Sequence, residues 1–209
     1  GNMKASRAAN PGSSPGSGEP QPRPGAVRRL AVFLILSTFT AAIINSIIPF
    51  IPLLMVDHFG LSSEAAAGSL SLIYAAVFWA SPLGGYFADR LGSVRVVVAV
   101  CVAAGPVIFL TAACPYGWTL WGLLILLGTI VYARMSASES FIMKQSRAGS
   151  RSTVFGIYYF SSMEGGGILT PVVGHLIDRF GFTAAFATAG AVLMAATLLC
   201  SFGLSERGK

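Results

Sequence analysis

The chain has 209 residues, 54% of them hydrophobic and only 11% charged, with a formal net charge of +6. Soluble domains carry about 25% charged residues, so the balance excludes an ordinary globular protein. It predicts an all-α membrane protein whose apolar runs cross a hydrocarbon core of about 30 Å. Positive charge in so apolar a chain reads as cytoplasmic-side Lys and Arg rather than as a nucleic-acid surface. The implied partner is the lipid bilayer, with no nucleic acid.

Residues 1–28 are rich in Pro, Gly, Ser and Ala, too poor in apolar surface to offset ordering entropy, and predict a disordered cytoplasmic linker or tail. The opening at Gly1 rather than Met is what a fragment or a processed chain would show. A six-helix transmembrane domain is expected over 29–204, followed by a short cytoplasmic tail, 205–209. The first span, about 30–56, contains Pro49 and Pro52, tolerated where neighbours satisfy the freed carbonyls. The second covers about 65–88, the third about 94–113, the fourth about 118–143, the fifth about 153–177 and the sixth about 183–203. The triple glycine 165–167 reads either as a hinge or as a place of close helix packing. Cys101, Cys114 and Cys200 have no metal-ligand spacing and form no even-numbered disulfide framework. His58 and His175 read as polar surface, and no cofactor or metal is expected. No nucleophile–base pair and no phosphate loop appears, so the expectation is that the protein is not an enzyme.

One stretch occurs twice. Pro82–Gly92 reads PLGGYFADRLG and Pro171–Gly181 reads PVVGHLIDRFG. Gly85, Asp89, Arg90 and Gly92 recur as Gly174, Asp178, Arg179 and Gly181, always 89 residues on. Fixed-register identity of this kind marks an internal repeat, here a unit of three spans. With six spans, nearly every Lys and Arg falls on the side of the two termini. The exceptions are Arg179 and the intramembrane Arg134. The positive-inside rule then makes both termini cytoplasmic, in a multi-pass protein of the plasma (inner) membrane. The two copies come to face opposite sides, which makes the six helices two inverted three-helix repeats, an architecture found in secondary transporters.

The stretch Gly84–Arg95, GGYFADRLGSVR, closely resembles the signature between the second and third helices of the major facilitator superfamily. Gly85, Asp89, Arg90 and Gly92 match it, Ser93 stands where the family carries a basic residue, and Arg95 lies two positions on. Arg151–Phe182 is similar to the fifth or eleventh helix of such carriers. The resemblance covers about 28–204. It implies half of a major facilitator fold, the C-terminal half favoured by the linker-like opening and the short charged tail. The N-terminal half and a self-pairing half-carrier are the alternatives. The partner would be the other six-helix half, or a second copy, and a small-molecule substrate. The function implied is a secondary active transporter working by alternating access; a non-transporting assembly factor or sensor on the same fold is the competing class. Family resemblance also implies that Asp89 latches the outward-facing state against a helix N-terminus of the opposite half.

Charge inside the spans marks the candidate site. Arg134 lies ten residues from Lys144, about 15 Å deep at about 1.5 Å per residue, where ionisable groups face the bundle interior or a wet cavity. Glu164 is similarly central, and Glu139 lies nearer the cytoplasm. These three could bind an anionic substrate through Arg134, couple protons through Glu164, or form a static ion pair. Asn45, Tyr74 and Tyr158 are further candidate cavity liners, with Tyr132 and Tyr159 beside them.

Overall fold

The computed structural model describes residues 24–146 and 149–205, and these are helical apart from short connections. Most of the expected linker (1–23) and the last four residues of the expected tail (206–209) lie outside the described residues. Helix α1, Pro24–Ile47, begins a few residues inside the stretch read as linker. Pro at a helix start costs nothing, because the missing N–H would have no intrahelical partner there.

Pro49 and Pro52 change how the first span ends. Each lacks a backbone N–H, so the regular ladder cannot continue through them. The chain passes through a 3-10 turn, Ile48–Phe50, one α turn, Ile51–Leu53, and a π turn, Leu54–His58. Ser62 then caps α2, Ser63–Ala75, its hydroxyl accepting from the Ala65 amide at 3.4 Å. Helix α3, Val77–Phe87, contains Pro82 and runs through a π turn, Ala88–Gly92, into α4, Ser93–Ala113. Helix α5 is Trp118–Gln145 and α6 is Arg151–Ser205.

Among the described residues, four helical lengths are long and apolar enough to cross a membrane: Leu30–His58, Ser63–Ala113, Trp118–Gln145 and Arg151–Leu199. The second and fourth are 51 and 49 residues long, and each is broken once. Gly92 has φ +91° and Gly181 has φ +80°, with ψ 130° and 169°. Only glycine adopts that region readily. The two breaks fall at the repeated corner, and the ends of the first two lengths recur in the second two within three residues of the same offset.

The two corners lie at opposite ends of the bundle. The 21-residue α4 starts next to Gly92 and, at about 1.5 Å per residue, is about 31 Å long. At its far end the Ala112 carbonyl accepts a hydrogen bond from the Thr183 hydroxyl, two residues beyond Gly181. His58 and Phe182 also approach there, ring centroids 6.3 Å apart.

Small residues bring the helices together, as they must where lipid supplies no hydrophobic drive between helices. A Cβ placed on Gly84 of α3 would stand 2.5 Å from the Ala133 carbonyl oxygen of α5. One on Gly165 would meet Ala42 of α1 at 2.8 Å, and one on Gly166 would meet Asn45 at 3.0 Å. The backbone of α6 stays helical through the triple glycine; of the two roles open to it, the structure displays close packing. Gly105 of α4 faces Gly190 of α6 so closely that a Cβ on either would lie within 3 Å of the other's carbonyl oxygen.

Candidate functional site

Four helices leave a cavity of about 390 Å³ between them. Ala41, Asn45, Ile48 and Pro49 line it from the first span and Tyr74 from α2. Val131, Tyr132, Arg134 and Met135 come from α5, and Tyr158, Tyr159, Ser162, Met163, Gly166, Gly167 and Thr170 from α6. Asn45 and Arg134 are 89 residues apart, so the repeat offset carries one cavity-lining polar group onto the other.

Arg134 is 4% exposed. Its Nη1 donates to the Ser37 carbonyl at 3.2 Å and stands 3.5 Å from the Ser37 hydroxyl, while Nε has no partner. Ser37 in turn shares a 2.8 Å hydrogen bond with Ser138, one turn beyond Arg134 on α5. This buried strand of polar contacts ties α1 to α5 and was missed in the sequence. Ser138 could have been found from its i+4 spacing to Arg134, but nothing in the sequence points to Ser37.

The six candidate residues separate. Asn45, Tyr74, Arg134 and Tyr158 share the cavity. Glu139 reaches its edge, because its carboxylate accepts from the hydroxyl of the cavity-lining Tyr159. Glu164 does not line the cavity; it is exposed, on an α6 face with Phe160, Met163 and Ile168. The static ion pair among Arg134, Glu139 and Glu164 is not formed. The ion pair present among the described residues is Lys144–Asp89. Spacing along helices four and five does not amount to proximity: Glu164 is exposed and lies outside the cavity lining that holds Arg134.

At the first corner, Asp89 Oδ1 accepts from Lys144 Nζ at 2.7 Å, both side chains more than half exposed. The chain thus gives Asp89 a lysine partner at the end of α5, a contact the sequence did not suggest. The Arg90 guanidinium sits 5.0 Å from the centre of the Tyr86 ring, and Arg95 is exposed. Gly85, the motif glycine, is small enough to be expected at a close helix approach, but that approach falls one residue earlier. A Cβ on Gly85 would only touch the Ser136 hydroxyl at 3.4 Å, whereas one on Gly84 would strike backbone. At the second corner a Cβ on Gly174 would meet the Phe50 ring at 3.3 Å, and Asp178 and Arg179 are exposed with no ion pair among the described residues. His175 is exposed too. No group of three or more His, Cys, Asp or Glu among the described residues could hold a metal.

The family model of the Major Facilitator Superfamily matches residues 30–209. No curated protein sequence matches the chain. Among solved structures, it is similar to the POT family transporter PepTSo, with TM-score 0.72 and 16% identity over 84% of this chain and 37% of that one. It is also similar to tetrameric PepTSo2, with TM-score 0.68 and 14% identity over 85% of this chain and 39% of that one. The chain therefore spans less than two fifths of the length of either. At such identity the likeness concerns the fold alone.

Proposed function

The chain belongs to the Major Facilitator Superfamily, and from that premise we propose that it is one six-helix half of a secondary carrier moving a small solute by alternating access. Unbroken, the 51- and 49-residue helical lengths would each extend about 75 Å, against a hydrocarbon core of about 30 Å. Each is better read as two crossings joined at Gly92 and at Gly181, which makes six in all. With the corners at opposite ends of α4, the two triplets run in opposite senses, the inverted-repeat plan of such carriers. Basic residues then put both termini in the cytoplasm.

The observation that carries the reading is the cavity. Polar groups from both triplets, Asn45 and Tyr74 with Arg134 and Tyr158, converge on one cavity among apolar helices. Intramembrane polar groups are expensive and are kept where a solute or ion must pass. The exposed α6 face carrying Phe160, Met163 and Glu164 is where a second six-helix body, the other half or a second copy, would rock against this one.

Two measurements test this. Single cysteines at positions 90 and 179 should react with a membrane-impermeant thiol reagent from opposite sides of the bilayer. The full-length protein in proteoliposomes should show saturable solute counterflow. Labelling of both positions from one side would end the six-crossing reading. A correct topology with no counterflow of any solute would favour the sensor or assembly-factor class.

A further inference from the structure

On the reading of this chain as a carrier half, we propose that the cavity recognises an organic monoanion whose charge is met by Arg134. A buried cation is costly unless a countercharge accompanies it, and the Arg134 side chain is almost wholly buried. Its protein contacts are nevertheless to neutral groups, the Ser37 carbonyl and hydroxyl, and Nε has no acceptor. A guanidinium has five N–H donors, so most of them have no protein acceptor among the described residues.

The acidic residues that could neutralise it are committed elsewhere. Glu139 accepts from Tyr159, Glu164 is exposed on α6 and does not line the cavity, and Asp89 pairs with Lys144. Among the described residues no Asp, Glu, Lys, His or second Arg lines the cavity. The lining thus carries one permanent positive charge and no negative one, the Glu139 carboxylate lying at the cavity edge rather than in the wall, which fits a ligand with one negative charge. Asn45, Tyr132 and Tyr158 can hydrogen-bond an oxyanion, whereas Val131, Met135 and Met163 present apolar surface. That division suits an organic acid with an apolar body rather than a bare inorganic ion.

The test uses the full-length protein in detergent, with ligand-induced thermal stabilisation titrated for benzoate, hexanoate, their neutral amides benzamide and hexanamide, and inorganic phosphate. A charge-assisted contact should favour acid over matching amide by roughly 10- to 100-fold, with phosphate well below either acid. Arg134→Lys should keep the preference but weaken acid binding roughly tenfold, since the ammonium lacks the planar fork. Arg134→Gln should erase the preference; a purely structural arginine would change stability but not the acid-to-amide ratio. Should Arg134→Gln fail to fold, Asn45→Asp, which adds a negative charge to the same wall, must erase the preference instead. Equal binding of acid and amide, no binding of either acid, phosphate binding as tight as the acids, or a preference that survives Arg134→Gln would each overturn the proposal. Counterflow with the same compounds and with cationic amines separates this from the carrier reading. Transport of a neutral or cationic solute, unaffected by Arg134→Lys, would sink the anion site and leave the carrier. Acid binding without movement of any solute would do the reverse.

Discussion

Replacing Gly84 by alanine asks whether α3 and α5 touch where the structure puts them. The new Cβ would lie 2.5 Å from the Ala133 carbonyl oxygen and 2.6 Å from its Cα. Both are backbone atoms, so no rotamer change can relieve the clash. Ordinary contact begins near 3.4 Å, so the helices must part by about 0.9 Å locally. A radial gap of about 0.5–1 Å forfeits a quarter to a half of each dispersion contact along the seam, and overpacking of this kind costs about 1–3 kcal/mol. Ala is also a better helix former than Gly by about 1 kcal/mol, and that gain must be separated out. Gly85→Ala does so, because it has the same propensity gain and meets only the Ser136 hydroxyl at 3.4 Å. The difference in stability between the two variants should be about 1–3 kcal/mol, a shift of roughly 2–12 °C in Tm for a chain of this size. Thermal unfolding of the detergent-solubilised protein, followed by tryptophan fluorescence, measures it. Equal Tm values for the two variants would refute the packing argument, and a lower Tm for Gly85→Ala would restore the position expected from the motif.

Gly92 and Gly181 have backbone angles that only glycine adopts at low cost, so Ala at either should lower stability by about 1–3 kcal/mol. Asn should rescue neither, because ψ of 130° and 169° lies outside the left-handed helical region Asn tolerates; equal Tm for Asn and Gly would count against it. Tyr159→Phe removes the hydroxyl that Glu139 holds and should cost about 1–3 kcal/mol, seen as a lower Tm. Adding Glu139→Gln, which removes the charge left unpaired, should recover part of that loss. Asp89→Asn breaks an exposed pair with Lys144 and should change stability by no more than about 1 kcal/mol, less at high salt. If the corner is a latch, the ratio of inward- to outward-accessible cysteine labelling will shift nonetheless. An unchanged ratio leaves Asp89 a surface charge.

What was legible in the sequence followed from features that local chemistry enforces. Spans of apolar residues long enough for the bilayer, glycines at the two corners and the 89-residue register were all readable, because each depends on residues near in sequence. The helix ends were less so. Prolines 49 and 52 are tolerable in a membrane helix, yet they turn the end of the first span into 3-10, α and π turns. Which face of a helix meets which neighbour was the least legible. Membrane helices are apolar nearly all round, so the hydrophobic periodicity that fixes facing in soluble helices is faint. Glu164 shows the consequence: its place along the helix is readable in the sequence and the direction of its side chain is not. The same holds for the shift from Gly85 to Gly84, since both are glycines and only the position of Ala133 distinguishes them.

The contacts themselves carry the repeat further than the corner sequence does. Under the 89-residue offset, the pairing of α3 with α5 through Gly84 and Ala133 maps onto a pairing of the start of α6 with α1. That second pairing is made by Gly165 with Ala42 and Gly166 with Asn45. Helix α4 maps onto the part of α6 after Gly181, so their mutual contact must map onto itself. Gly105 and Met194 are images of one another at this offset, and a Cβ on Gly105 would strike the Met194 side chain at 2.3 Å. A residue that touches its own image lies on the axis relating the two triplets. On the proposed reading, the pseudo-twofold axis therefore passes between Gly105 and Met194. Asn45 and Arg134, also images, stand across the cavity wall from the same operation, one neutral and one charged. On the proposed reading the repeat positions this pair, and the arginine at 134, opposite a neutral asparagine at 45, gives the cavity its sign.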